Sequence, residues 1–276
     1  MNETMIEGVG GLKLFLRSWK PQGPARAVIV AVHGFKSHAG YYDWPAERLQ
    51  ERGFAIYAFD LRGHGRSEGE RLYAEKVTEF TGDVDIVVKR ARAENPGLPV
   101  FILGHSAGGV ISCMYVLEHQ EELAGFICHS FAHEVPAPDF ALAVLKGLSH
   151  IAPHAHVLKL DDEGFSRDPK VVERMKTDPL IPQIGYPSLT VAELVRADDL
   201  LKREGFARIK LPVLILHGTA DKVTLPSGSQ RFARDGGSAD KTLHLYEDYA
   251  HDLFNDVGRE RPMADVIEWL TARLPR

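Results

Sequence analysis

Cysteine is scarce, with only Cys113 and Cys128 in 276 residues. Two thiols cannot build the disulfide framework of a small secreted scaffold, so reduced, buried thiols in a cytoplasmic protein are expected. Basic charge is also short. Lys and Arg total 33 against 38 Asp and Glu, a net of −5, which argues against a nucleic-acid partner and its stripe of positive charge. No apolar run approaches the roughly 18–20 residues of a transmembrane segment. The opening Met1-Asn2-Glu3-Thr4 lacks the apolar block of a secretory signal. Internal repeats and low-complexity tracts are missing too. What remains is an ordinary globular composition, 44% apolar and 26% charged. At this length about 73% of the unfolded surface is buried on folding, a core that needs no staples.

Short apolar runs alternate with helical patterns. Ala27–Val32 is a near-continuous β-branched run, the mark of a strand buried on both faces. Phe54–Phe59, Val100–Leu103, Gly125–Cys128 and Val213–Leu216 read alike, and Leu12–Arg17 and Thr242–Tyr246 add two more strands. Gly8-Val9-Gly10-Gly11 reads as a hairpin turn, since no helix follows it as a dinucleotide fingerprint would require. Val77, Phe80, Val84, Val87 and Ala91 share one helix face, stopped by Asn95-Pro96-Gly97. Val266, Ile267, Leu270 and Leu274 form another, with Pro262 suited to its first turn. This alternation predicts an α/β fold, a mostly parallel sheet flanked by helices. From His133 to Lys210 no convincing strand is visible and prolines recur. About 80 residues is too long for an ordinary crossover. The predicted organisation is therefore a core of residues 1–132 and 211–276 with a helical cap, 133–210, inserted between core strands over the strand ends.

The strongest chemical signal is Gly104-His105-Ser106-Ala107-Gly108, between a strand and a helical run. This is the nucleophile-elbow pattern G-x-S-x-G in the context it requires. A tight turn thrusts the serine hydroxyl outward and leaves room only for hydrogen two residues either side. A serine needs a base. Of 13 histidines, His251 is best placed, on the loop after the last strand. The orienting acid is expected at the tip of the preceding strand, which selects Asp221, with Asp248 as the alternative. The chain order Ser106, Asp221, His251 is that of the α/β-hydrolase fold. Two backbone N–H groups should hold the oxyanion, those of Ala107 and, from the loop His33-Gly34-Phe35, of Phe35.

These stretches resemble the monoacylglycerol lipase-like, also called lysophospholipase-like, branch of the α/β hydrolases. The likeness runs through His33-Gly34 with His38 and Tyr42, the run Asp60–Ser67, the elbow, Phe165–Pro169, Asp178-Pro179-Leu180 and the Asp221 and His251 loops. It implies Ser106, Asp221 and His251 as triad, Phe35 and Ala107 as oxyanion donors, and a cap over an acyl tunnel. Ser37 and Ala107 stand where the family often has an acidic residue and a methionine, and Pro136–Leu160 matches no family stretch. The expected activity is hydrolysis of monoacylglycerols or similar small esters through an acyl-enzyme, with no cofactor and no metal. Alternatives are a lysophospholipase, an aromatic-monoester esterase, a prolyl-type aminopeptidase and a non-catalytic small-ligand receptor.

Other features read more plainly. Asp60–Ser67 is expected to be a structural turn and His105 a core histidine. His150, His154 and His156 are split by Pro153 and do not suit a metal. Asp161-Asp162-Glu163 reads as a solvated loop. Phe140, Leu142, Val144, Leu145, Leu148 and Ile151 form an apolar stretch that suits packing onto the core or transient contact with lipid aggregates.

Overall fold

The computed structural model describes residues 1–274. The strands are β1 (Asn2–Glu7), β2 (Lys13–Trp19), β3 (Ala27–Val32), β4 (Phe54–Phe59), β5 (Val100–His105), β6 (Gly125–His129), β7 (His156–Leu158), β8 (Tyr186–Pro187), β9 (Val213–Gly218) and β10 (Lys241–Tyr246). The helices are α1 (Asp43–Glu51), α2 (Val77–Glu94), α3 (Ala107–His119), α4 (Asp139–Ile151), α5 (Pro169–Thr177), α6 (Ser188–Leu200), α7 (Phe206–Arg208), α8 (Pro226–Asp235) and α9 (Glu260–Thr271). Eight strands form one sheet in the order β1-β2-β4-β3-β5-β6-β9-β10. All neighbours from β4 to β10 in that order pair in parallel, while β1–β2 and β2–β4 are antiparallel. The α/β-hydrolase architecture read from the sequence is therefore the one observed.

The β3 strand shows why the buried runs lie where they do. Val28, Val30 and Val32 enter one core with α2, α3 and α8, whereas Ala27, Ile29 and Ala31 enter the opposite core with α1 and α9. A strand covered by helices on both sides has no polar face, so its sequence shows no alternation. The β1 strand was not visible beforehand. It lies at the sheet edge, and of its six residues only Ile6 is buried. The Gly8–Gly11 turn does join it to β2 as a hairpin, with Gly10 and Gly11 at φ 75° and 81°.

Residues between β6 and β9 carry α4 to α7. The reading that this stretch holds no strand is corrected by β7 and β8, a short antiparallel pair. They were missed because β8 contains Pro187 and neither strand is long enough to show a period. Among the described residues no helix is long and apolar enough to cross a membrane. Cys113 and Cys128 are free and buried, and burial pushes both thiols well up.

Candidate active site

Ser106 sits between β5 and α3 at φ 55° and ψ −121°, a conformation that side chains with a Cβ rarely adopt. The surroundings over-determine it. Its N–H donates to the His129 carbonyl at 2.9 Å, and its own carbonyl accepts from Gly109 N at 2.8 Å and Ala132 N at 3.3 Å. The flanking glycines are sterically required. A Cβ on Gly104 would lie 2.6 Å from Ser112 Oγ, and one on Gly108 would lie 2.3 Å from the Val32 carbonyl oxygen. The loop after β3 presses on the serine as well, since a Cβ on Gly34 would lie 2.6 Å from Ser106 Cβ. That contact brings Phe35 beside the elbow. Neither the Phe35 nor the Ala107 N–H donates to another described residue, as expected at a helix start for Ala107.

Asp221 follows β9 and meets His251 from the loop after β10, with Oδ2 2.7 Å from Nδ1. Its Oδ1 accepts from the N–H groups of Val223 and Thr224 at 2.8 and 2.9 Å, and Oδ2 also accepts from Thr224 Oγ1 at 2.8 Å. His217 Nε2 lies 3.0 Å from the same Oδ2. Burial alone would raise this carboxyl, but the charges and hydrogen bonds of His251 and His217 outweigh it and hold Asp221 far below the usual carboxylate range. The bond to Asp221 places the His251 proton on Nδ1 and leaves Nε2 as an acceptor. That nitrogen is buried without a hydrogen-bond partner among the described residues. Ser106 Oγ makes no hydrogen bond to it, which does not count against His251 as the base, because such bonds tighten when substrate binds. Phe165 packs edge-on against the His251 ring at 5.1 Å between centroids. The alternative acid, Asp248, is exposed and does not approach His251; its N–H donates to Thr219 Oγ1 at 2.9 Å.

His105, His129 and Asp252 gather behind His251, with one potential ligand atom from each lying within 4.8 Å of the others. The cluster is a poor cation site. His129 Nε2 accepts from Leu253 N at 3.0 Å, so the neutral ring carries its proton on Nδ1 and has no lone pair to offer there. Burial first, then neighbouring histidines, push the His105 and His129 rings well below their ordinary range. Burial raises Asp252 to about 6 against hydrogen bonds from Asn255 and the charge of His251.

The remaining histidines scatter. His154 pairs with Glu70, and His150 faces Arg196. Asp60 binds the N–H groups of Ala39 and Arg66, both at 2.7 Å, and Arg62 forks onto buried Asp83. That is the structural turn expected of Asp60–Ser67. The solvated-loop reading of Asp161–Glu163 fails at Asp162. It is buried and forms an ion pair with Lys36, because a cation from another loop neutralises it, a partner no local pattern reveals. Sequence reasoning also missed His217 and Thr224, and the close approach of Gly34 to Ser106, all of which depend on distances between loops.

Ser106, Ala107 and Phe35 reach the wall of a cavity of about 1030 Å³. Val110, Leu145, Leu148, Val191 and Leu194 line it too. The apolar stretch of α4 divides by side. Leu142, Leu145 and Leu148 are half-buried at the cavity, whereas Phe140 and Ile151 are 73% and 85% exposed.

A family model described as "Serine aminopeptidase, S33" matches residues 23–258. A monoacylglycerol lipase of Mycolicibacterium smegmatis is 32% identical over 99% of this chain and 98% of its own length. Caffeoylshikimate esterase of Arabidopsis thaliana is 30% identical over 96% of this chain and 83% of its own. The crystal structure of Paleococcus ferrophilus monoacylglycerol lipase superposes with a TM-score of 0.85 at 31% identity, covering 94% of this chain and 99% of that one.

Proposed function

The chain belongs to the S33 family of serine hydrolases, in its monoacylglycerol lipase-like branch, and is a serine carboxylic-ester hydrolase; from that premise we propose that it cleaves monoacylglycerols or similar small acyl esters with Ser106, His251 and Asp221. The observation that carries this reading is a strained serine opening on a large, mainly aliphatic cavity, with a buried Asp–His pair behind it. Residues 133–210 act as the cap over that cavity.

In the first half-reaction His251 Nε2 takes the hydroxyl proton as Ser106 Oγ attacks the ester carbonyl. The N–H groups of Phe35 and Ala107 hold the resulting oxyanion. The tetrahedral species collapses, His251 returns the proton to the departing alkoxide, and an acyl-Ser106 and a free alcohol result. In the second half a water gives its proton to His251 and adds to the acyl carbon; the acid leaves and Ser106 regains its proton. Asp221 stays ionised, fixes the productive tautomer and offsets the imidazolium charge.

A peptide amine would seek a free carboxylate in the cavity. Asp198 is paired with Lys202, Asp199 with Lys146, Glu163 with Lys176 and Glu134 with Arg231, whereas Asp139 and Asp161 line the cavity without an ion pair among the described residues. The preference for a neutral ester therefore rests on the aliphatic lining and not on the carboxylates. The exposed apolar face of α4 suits transient contact with lipid aggregates, and two reduced thiols suit a cytoplasmic setting. The test is turnover of 1-monoacylglycerols beside p-nitrophenyl esters, a lysophospholipid and a peptide amide. Ser106→Ala should lose roughly 10⁴-fold or more in rate. Retained turnover, or cleavage of the amide alone, would sink the reading.

A further inference from the structure

The loop that carries Phe35 is held from outside the sheet. Lys36, the next residue, has φ 52° and only 6% exposure, both unusual for a lysine. Its backbone N–H donates to Tyr186 Oη at 2.6 Å, a contact across 150 positions of sequence. Its ammonium is neutralised by Asp162 and reaches the Leu160 carbonyl and Gln183 Oε1, both at 3.3 Å. The Tyr186 ring stacks on Phe35 itself, 3.7 Å between centroids and 18° from parallel. All four partners lie between β6 and β9, and Tyr186 and Asp162 are both buried. A buried ion pair is weak evidence for stability, since two charges must be desolvated to form it. Here it fixes the backbone beside a peptide N–H whose direction matters.

We infer that Tyr186, Asp162 and Lys36 are positioning residues that aim the Phe35 N–H, so that the oxyanion pocket is complete only while the 160–186 segment is docked on the β3 loop. This rests on the proposed role of Phe35. A donor must stand about 2.7–3.1 Å from the oxyanion, not from the ground-state carbonyl. Loosening the loop therefore weakens the transition state and leaves substrate affinity nearly untouched.

Tyr186→Phe keeps the stack and removes the hydroxyl acceptor; Asp162→Asn keeps the shape and removes the charge. Each should lower kcat by about ten-fold, less than the 10²–10³ of losing a donor outright, with KM within about two-fold. Affinity for a boronic acid that mimics the tetrahedral species should fall in parallel with kcat, a response that mere loss of folded protein would not give. Thermal melts identify any unfolded variant, and Tyr186→Phe is the mild one. Wild-type kcat and boronate affinity in Tyr186→Phe and Asp162→Asn, or a change confined to KM, would overturn the inference. Ser106→Ala run in parallel separates the two levels. If it is inert while both latch variants behave as wild type, only the latch fails; if it turns over, the serine reading beneath it fails.

Discussion

Gly34→Ala is the sharpest perturbation of the loop proposed to hold the oxyanion. The new methyl would start 2.6 Å from Ser106 Cβ and 2.9 Å from the His105 carbonyl oxygen. Carbon pairs rest near 3.5–4.0 Å, so about 1 Å must be found. Ser106 cannot supply it, because its N–H and carbonyl are tied to His129, Gly109 and Ala132. The Gly34 carbonyl is itself held by His33 Nδ1 at 2.7 Å, and His33 Nε2 by Leu61 N at 2.9 Å. The displacement is then taken up at Phe35, whose N–H donates to no described residue, and turns that N–H away from the oxyanion it is proposed to hold. Loss of one such donor costs about 2.7–4 kcal/mol in the barrier, or 10²–10³ in kcat. Steady-state kinetics on p-nitrophenyl butyrate should show a kcat loss of about 100-fold with KM within about three-fold. Gly147→Ala is the matched control. It lies in α4 with nothing within 4 Å of its added methyl, and should leave kcat unchanged while stabilising the helix by up to about 1 kcal/mol. If Gly34→Ala keeps more than half of the parent kcat, the argument from the close approach is wrong.

Three further outcomes are expected. Asp221→Asn should lower kcat roughly 10³–10⁴-fold, while Asp248→Asn on the exposed turn should leave it within two-fold; comparable losses would contradict the assignment of the acid. Asp252, raised from 3.8 to about 6, binds its proton more tightly folded than unfolded. Its own contribution to stability therefore falls as pH rises between those values, by about 3 kcal/mol in all, against the opposite trend contributed by the depressed His105 and His129. Urea unfolding at pH 4 and pH 7 should show that Asp252→Asn lacks this fall, and an unchanged pH slope would refute it. Asp83→Ala removes two hydrogen bonds of the buried Arg62 guanidinium and leaves those to Glu79 and the Val9 carbonyl; it should cost about 1.5–3 kcal/mol in denaturant titration, and a loss below about 1 kcal/mol would mean that the pair is replaceable by water.

What could be read without coordinates follows from how local each cause is. The β3 and β4 runs announced themselves because burial on both faces leaves no polar position in six residues. The elbow was legible because its five-residue pattern is contiguous, although Gly104 answers a nearby contact with Ser112 and Gly108 answers the Val32 carbonyl of another strand. Edge strand β1 was not, since most of its residues face water. The β7–β8 pair depends on two segments almost thirty positions apart meeting, with Pro187 spoiling the second. Asp162 looked solvated because its cation, Lys36, lies 126 positions earlier (162 − 36). Likewise, Asp221 could be placed at a strand tip, but its contacts with His217 and Thr224 emerge only when the following turn closes back on it.

The stretch that carries α4 to α7 leaves from β6 and returns at β9, which are neighbours in the sheet. The sheet therefore constrains only the two ends of that excursion, which lie at opposite ends of adjacent parallel strands whatever lies between. Loop-closure entropy grows only logarithmically, about 0.6 kcal/mol for each doubling of length. Descendants of this architecture can lengthen, shorten or replace the excursion, and so remodel the chamber, without renegotiating the ladder of hydrogen bonds between the strands. The latch at Lys36 limits that freedom. Any replacement must bring its own tyrosine and carboxylate to the β3 loop, so novelty in substrate choice and competence in turnover are selected through one short stretch of contacts.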